Sequence, residues 1–107
     1  MKSQTMTETI ISKPLYNILA ELTGEERFDV ALYLATKDLV QLKLLEAVRQ
    51  IKTFAERYGM AFEKFEQAWE NDQVADKYSY DVEKDYWQWE AAQTDLVRLR
   101  EIFERLP

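Results

Sequence analysis

The residues best equipped for chemistry lie together between positions 66 and 90. This window holds eight acidic side chains against two basic ones, so it accounts for the whole net charge of −6, and the charges elsewhere balance. It also contains all three Trp and three of the six Tyr. Carboxylates beside large rings favour a surface that docks a positively charged protein, because rings supply contact area and carboxylates steer and pair.

Three carboxylates in this window also have a spacing that suits a hard metal ion. Asp81, Glu83 and Asp85 could supply oxygen ligands to Mg²⁺, but acids in the first turn of a helix are ordinary, because they complement the helix dipole. The chain has no His and no Cys, which removes imidazole bases, thiolate nucleophiles and the usual zinc ligands. Its two Gly form no phosphate-binding motif. We therefore expect no enzyme, no metal and no cofactor.

The three Trp cannot all lie in one core. Trp87 and Trp89 point about 160° apart if their segment is helical. Trp89 and Tyr86 follow the apolar stripe of that segment, which favours the core, whereas for Trp87 a docking role and a structural role weigh equally. The candidate partner-binding residues are Trp69, Tyr78, Tyr80, Asp81, Glu83, Asp85, Tyr86, Trp87 and Glu90.

Apolar residues spaced three and four apart predict that these side chains are carried by helices. Pro14 suits a first helical turn, and Gly59 suits a helix end, because Gly accepts the left-handed conformation. We expect a mainly α fold with a long central and a long C-terminal helix in a single domain over 14–107. The predicted elements are a tail or short strand at 1–13, helices at 14–22, 25–58, 61–70 and 80–106, and an acidic loop at 71–79.

The central segment 25–58 contains neither Gly nor Pro, and Thr23 with Glu26 has the spacing of a capping box that would start it. An unbroken helix would be roughly 50 Å long, against a radius of about 13 Å for a compact domain of this size. Either it bends or breaks near 36–38, or a partner chain supports it, and we expect a long helix in a homodimer. The residues expected at the dimer seam are Phe28, Leu32, Leu39, Leu42, Val48 and Ile51.

The N-terminal residues allow a second kind of interaction. Residues 7–12 fit either a short strand, since Thr and Ile favour extended structure, or a tail. Two copies pairing this segment could form a β-ribbon that reads DNA, although only Lys2 and Lys13 flank it and phosphate binding depends on basic residues. No apolar run is long enough to span a membrane, no signal peptide is visible, and the absence of Cys suits a reducing compartment, so we expect a cytoplasmic protein.

Two segments resemble a known family. They are Tyr58-Gly59-Met60-Ala61-Phe62-Glu63-Lys64-Phe65 and Tyr80-Asp81-Val82-Glu83-Lys84-Asp85-Tyr86-Trp87-Gln88-Trp89-Glu90. Both are similar to segments of small prokaryotic antitoxin-like proteins from two-gene toxin–antitoxin operons. The resemblance covers roughly residues 50–90, and Pro14-Leu15-Tyr16 with Leu19 echoes the N-terminal helix of ribbon-helix-helix antitoxins.

The resemblance implies a C-terminal half that binds and silences a toxin, often an RNA-cleaving one, whose basic cleft would meet residues 66–90. It also implies an N-terminal half that binds DNA and represses its own operon. We therefore expect an antitoxin-type protein. The alternatives are a helical homo-oligomeric structural or adaptor protein without a toxin, and a DNA-binding autorepressor.

Overall fold

The structure, a computed structural model, describes residues 12–107. This part of the chain is mainly helical, which confirms the predicted fold class. The strand considered at 7–12 lies outside the described residues apart from Ser12, which caps the first helix. The helices are α1 (Lys13–Thr23), α2 (Phe28–Tyr58), α3 (Phe62–Glu70) and α4 (Tyr80–Arg105).

The chain forms two compact units, and the single helical domain expected over 14–107 stays a prediction. The first extends to Leu39 and the second runs from Val40 to Pro107. The second unit has its own core, in which Phe54, Phe65 and Trp89 are buried. Since the aromatic side chains concentrate in this part of the sequence, the main core forms among the elements that carry them.

The first unit is organised by caps and one ring pair. Ser12 Oγ accepts a hydrogen bond from the Leu15 amide at 3.3 Å and starts α1. Gly24 ends it in the left-handed conformation, with φ 72°. Tyr16 stacks on Phe28 with ring centroids 5.7 Å apart, and its hydroxyl donates to the Glu26 carbonyl. These contacts fix the turn between the two helices.

The start of α2 differs from the expected capping box. Thr23 is the last residue of α1, where its hydroxyl donates to the Leu19 carbonyl at 2.8 Å and accepts from the Glu25 amide at 3.3 Å. The hydroxyl is therefore engaged at the end of α1, and α2 begins at Phe28 rather than at residue 25.

A break near 36–38, one of the two alternatives considered, does not interrupt α2: the helix is continuous over 31 residues and hence roughly 46 Å long. The Thr36 hydroxyl donates to the Leu32 carbonyl, one turn earlier, at 2.8 Å. This bond satisfies a polar group that would otherwise compete for backbone partners. The helix ends before Gly59, whose φ is 68°.

In the second unit, α3 and α4 pack their rings around the C-terminal part of α2. Ser79 caps α4 by accepting from the Val82 amide at 3.3 Å, and Gly59 permits the turn towards α3. The side chains partly buried around the core are Ile51, Ala55, Tyr58, Met60, Phe62, Trp69, Val74 and Tyr86. This packing determines which parts of the 66–90 window remain accessible.

Candidate functional site

The aromatic residues of the 66–90 window divide into an inner and an outer set. Trp89 is 0% exposed, and Trp69 and Tyr86 are partly buried around it. Tyr78, Tyr80 and Trp87 instead have 79%, 73% and 65% of their surface exposed. Half of the rings therefore build the core, and the other half face solvent.

Trp89 is the centre of the inner set. Its ring centroid lies 5.0 Å from Phe65, 5.4 Å from Phe62 and 5.7 Å from Phe54. These separations suit offset and edge-on ring packing. The indole nitrogen of Trp89 is buried without a hydrogen-bond partner among the described residues, so its burial rests on ring packing alone.

Trp69 and Tyr86, both predicted partner-binding residues, belong to this inner set. Their centroids are 4.5 Å apart, and the Tyr86 hydroxyl donates to Glu66 Oε2 at 3.3 Å. Burial raises the pKa of Tyr86, and the nearby Glu66 and Glu90 carboxylates raise it further. Most of their surface contact is therefore with the protein's own core.

Asp85, another predicted partner-binding residue, is engaged within the fold. Its Oδ2 accepts from Arg57 Nη1 at 2.7 Å and from the Tyr58 hydroxyl at 2.6 Å. Burial raises the pKa of Tyr58 to about 12, and the hydrogen bond to Asp85 adds to the effect. Sequence reasoning missed this contact, because Arg57 and Asp85 are 28 positions apart and nothing local links them.

Lys77, one of the two bases of the window, is also occupied. Its Nζ donates to the Trp69 carbonyl and to Asp72 Oδ1, each at 2.6 Å, and the Asp72 bond raises the pKa of Lys77. The loop places Asp72 and Asp76 at positive φ, 56° and 54°, values that Asp tolerates better than most residues. Lys77 therefore neutralises charge locally and adds little positive charge to the outer surface.

The outer set forms a shallow surface on α4, which we call the outer face and define by the residues that line it. It is a depression of about 340 Å³ lined by Tyr80, Glu83, Lys84, Trp87 and Gln88. These positions are three, four, seven and eight residues after Tyr80, so they share one side of a helix.

Two lining residues of the outer face, Lys84 and Gln88, were absent from the predicted set. Their spacing from Tyr80 could have identified them. Tyr78 and Asp81 are exposed next to this face in the chain, whereas Glu90 is half-buried. The nine predicted residues therefore do not form one surface.

The outer face combines two exposed rings with one carboxylate and one ammonium group. Tyr and Trp present wide, rigid contact area at low entropic cost. The half-buried carboxylate of Glu83 can attract a cationic group. In the described part of the chain, no cluster of three or more acidic side chains could hold a metal ion. None of the helices described is long and apolar enough to cross a membrane.

No family model matches this chain, no curated protein matches it, and no solved structure matches it.

Proposed function

We propose that this protein is an antitoxin-type protein that binds and neutralises a basic partner protein, such as an RNA-cleaving toxin, through the outer face of α4. One observation carries the proposal. Tyr80 and Trp87 stay largely exposed beside the carboxylate of Glu83, although the core of the same unit is built from rings of the same types. Covering such rings with a partner would remove apolar surface from water.

The charge of the window supports a cationic partner. Residues 66–90 contain eight acidic and two basic side chains. One of the two bases, Lys77, forms a salt bridge with Asp72 at 2.6 Å. Lys84 is thus the base left at the outer face. An excess of exposed negative charge raises the association rate with a positively charged surface and rejects acidic ones.

The test is co-expression with the product of the adjacent gene, followed by affinity measurement. We expect a complex that weakens as salt rises, because exposed charges are screened. Trp87→Ala and Tyr80→Ala should each weaken binding by about tenfold or more, as truncated aromatic anchors do. Val97→Ala, at another exposed apolar position of α4, is the matched control and should bind like the parent.

Two results would count against the proposal. One is the absence of any complex with the neighbouring product and of any rescue from its toxicity. The other is a complex that tolerates both Trp87→Ala and Tyr80→Ala, since binding would then use another surface.

The second candidate function is a helical homo-oligomeric structural or adaptor protein without a toxin. The observation that favours it is the row of exposed apolar residues on α2, among them Leu42, Leu45 and Val48. This role predicts self-association with no growth rescue in a toxicity assay. Autorepression through residues 7–12 stays a prediction, which a gel shift with the protein's own promoter would test.

A further inference from the structure

A second unpartnered surface lies on α2 and is independent of the outer face. Leu42, Leu45 and Val48 are each about half exposed. At about 100° per residue, Leu45 is the centre of this face, with Leu42 and Val48 about 60° to either side. Three large aliphatic side chains within two turns are more than the scattered exposed apolar residues of an ordinary helix surface.

This face is not the predicted dimer seam. Of the six residues expected there, Ile51 packs against the aromatic core and Phe28 stacks on Tyr16. The other four, Leu32, Leu39, Leu42 and Val48, stay exposed. Leu45, which the predicted seam omitted, lies between Leu42 and Val48. The apolar residues of α2 that have heptad-like spacing therefore lie on more than one face of the helix.

The polar residues that flank Leu45 indicate which kind of molecule covers this face. Positions at equal distances before and after it carry complementary side chains. The pairs are Leu42 with Val48, Gln41 with Arg49, and Asp38 with Lys52. If two copies of α2 cross antiparallel at Leu45, each residue faces its counterpart in the other copy. Aliphatic then meets aliphatic, amide meets guanidinium, and carboxylate meets ammonium.

A parallel arrangement would lack this complementarity. It would bring Asp38 against Asp38 and Lys52 against Lys52, and like charges at close range are repulsive. Two-fold, self-complementary contacts are also the commonest way in which identical chains associate. The pattern around Leu45 thus fits a second copy of this chain in one orientation.

We propose that the protein forms an antiparallel homodimer through α2, with the two-fold axis at Leu45. The contact uses only part of one helix, about two turns on each side of the axis, whereas a standard stable interface uses roughly 20–30 residues a side. The dimer is therefore weak and depends on concentration. It uses no residue of the outer face, so it stands or falls separately from toxin binding.

The association is tested by sedimentation equilibrium of the full chain over a wide concentration range. The expected result is a mean mass that rises from one chain towards two. Leu45→Asp places two carboxylates on the axis and should keep the protein monomeric. Val97→Asp, at an exposed apolar position on α4, should leave the dimer unchanged.

A parent protein that stays monomeric at its solubility limit overturns the proposal. So does a Leu45→Asp variant that loses folding stability while its association is unchanged, because the face would then be covered within its own chain.

The orientation is tested by disulfide cross-linking. Because the chain has no Cys, only the introduced Cys residues can form disulfides. Mixing Asp38→Cys with Lys52→Cys should give a cross-linked dimer containing one of each. Each variant alone should cross-link poorly. Efficient cross-linking of Asp38→Cys with itself, and none in the mixture, would contradict the antiparallel arrangement.

Charge exchange gives an independent check of the same pairing. Asp38→Lys and Lys52→Asp should each raise the dissociation constant of the dimer, and the double variant should restore it. A double variant as weak as the single ones would show that Asp38 and Lys52 do not meet.

Discussion

At the residue scale, Trp87 and Trp89, two positions apart on α4, lie in two different environments. Trp89 is fully buried among Phe54, Phe62 and Phe65, and Trp87 is largely exposed. The angle between them was predictable from helix geometry alone. Which of them faced the core followed from the apolar stripe through Tyr86 and Trp89.

Trp89 should dominate the stability of the second unit. Trp89→Ala is expected to lower the free energy of unfolding by about 3–5 kcal/mol, the cost of truncating a large buried ring. Trp89→Phe should cost clearly less, since a ring remains and the buried N–H without a partner is removed. Urea unfolding measures both, with Trp87→Ala as the exposed control. Equal losses for Trp89→Ala and Trp87→Ala would contradict this packing.

Tyr58 makes stability depend on pH on the alkaline side. Its pKa is raised from 10.0 to about 12 by burial and by the bond to Asp85. A raised pKa means that this contribution is complete below pH 10 and is lost as pH rises towards 12. The parent should therefore lose more stability between pH 9 and pH 11 than Tyr58→Phe does. A Tyr58→Phe variant with the same loss as the parent would refute the role of Tyr58, and Tyr80→Phe is the exposed control.

Lys84 is the base that lines the outer face. Its removal should therefore change the affinity for a cationic partner in the direction opposite to that expected for Trp87→Ala and Tyr80→Ala. Lys84→Gln should tighten binding of a cationic partner, because it removes like charge from the surface. Glu83→Gln should weaken it. Isothermal titration of the two variants against the same partner compares them directly. Weaker binding by Lys84→Gln would indicate that the partner presents carboxylates there.

At the element scale, the sequence predicted which segments form helices, but it did not predict where all of the helices begin and end. Gly59 ends α2 as its conformational freedom suggested, and Gly24 ends α1 in the same left-handed conformation. The start of α2 was misplaced because Thr23 bonds back to Leu19, a choice between two partners that spacing cannot decide. The helix continues through Thr36, whose hydroxyl donates to the Leu32 carbonyl one turn earlier.

Substitutions of Gly59 test how far the end of α2 depends on the left-handed backbone conformation of this residue. Apart from Gly59 itself and its two chain neighbours, no heavy atom lies within 4 Å of a Cβ at this position, and φ is +68°. Gly59→Ala should therefore cost about 1 kcal/mol through backbone strain and not through a clash. Gly59→Asn should cost less, because Asn tolerates this region better. Thermal or urea unfolding decides, and equal costs for both variants would argue against the strain explanation.

At the scale of the whole molecule, the long-range contacts were the part that could not be read from the sequence. The pairing of Arg57 with Asp85 and of Tyr86 with Glu66 joins residues many positions apart. These contacts engage Asp85 and Tyr86 within the fold, whereas Tyr78, Tyr80 and Trp87 remain exposed. The division of the chain at Leu39 was also not anticipated, because apolar spacing continues across it.

If a basic partner covers Trp87, acrylamide quenching of Trp fluorescence should detect the loss of its exposure. In the free protein, Trp87 should be readily quenched and Trp89 protected, so Trp87→Phe should remove most of the accessible emission. With the adjacent gene's product bound, the accessible fraction of the parent should fall to the level of the Trp87→Phe variant. A complex in which Trp87 is quenched as readily as in the free protein would contradict the account.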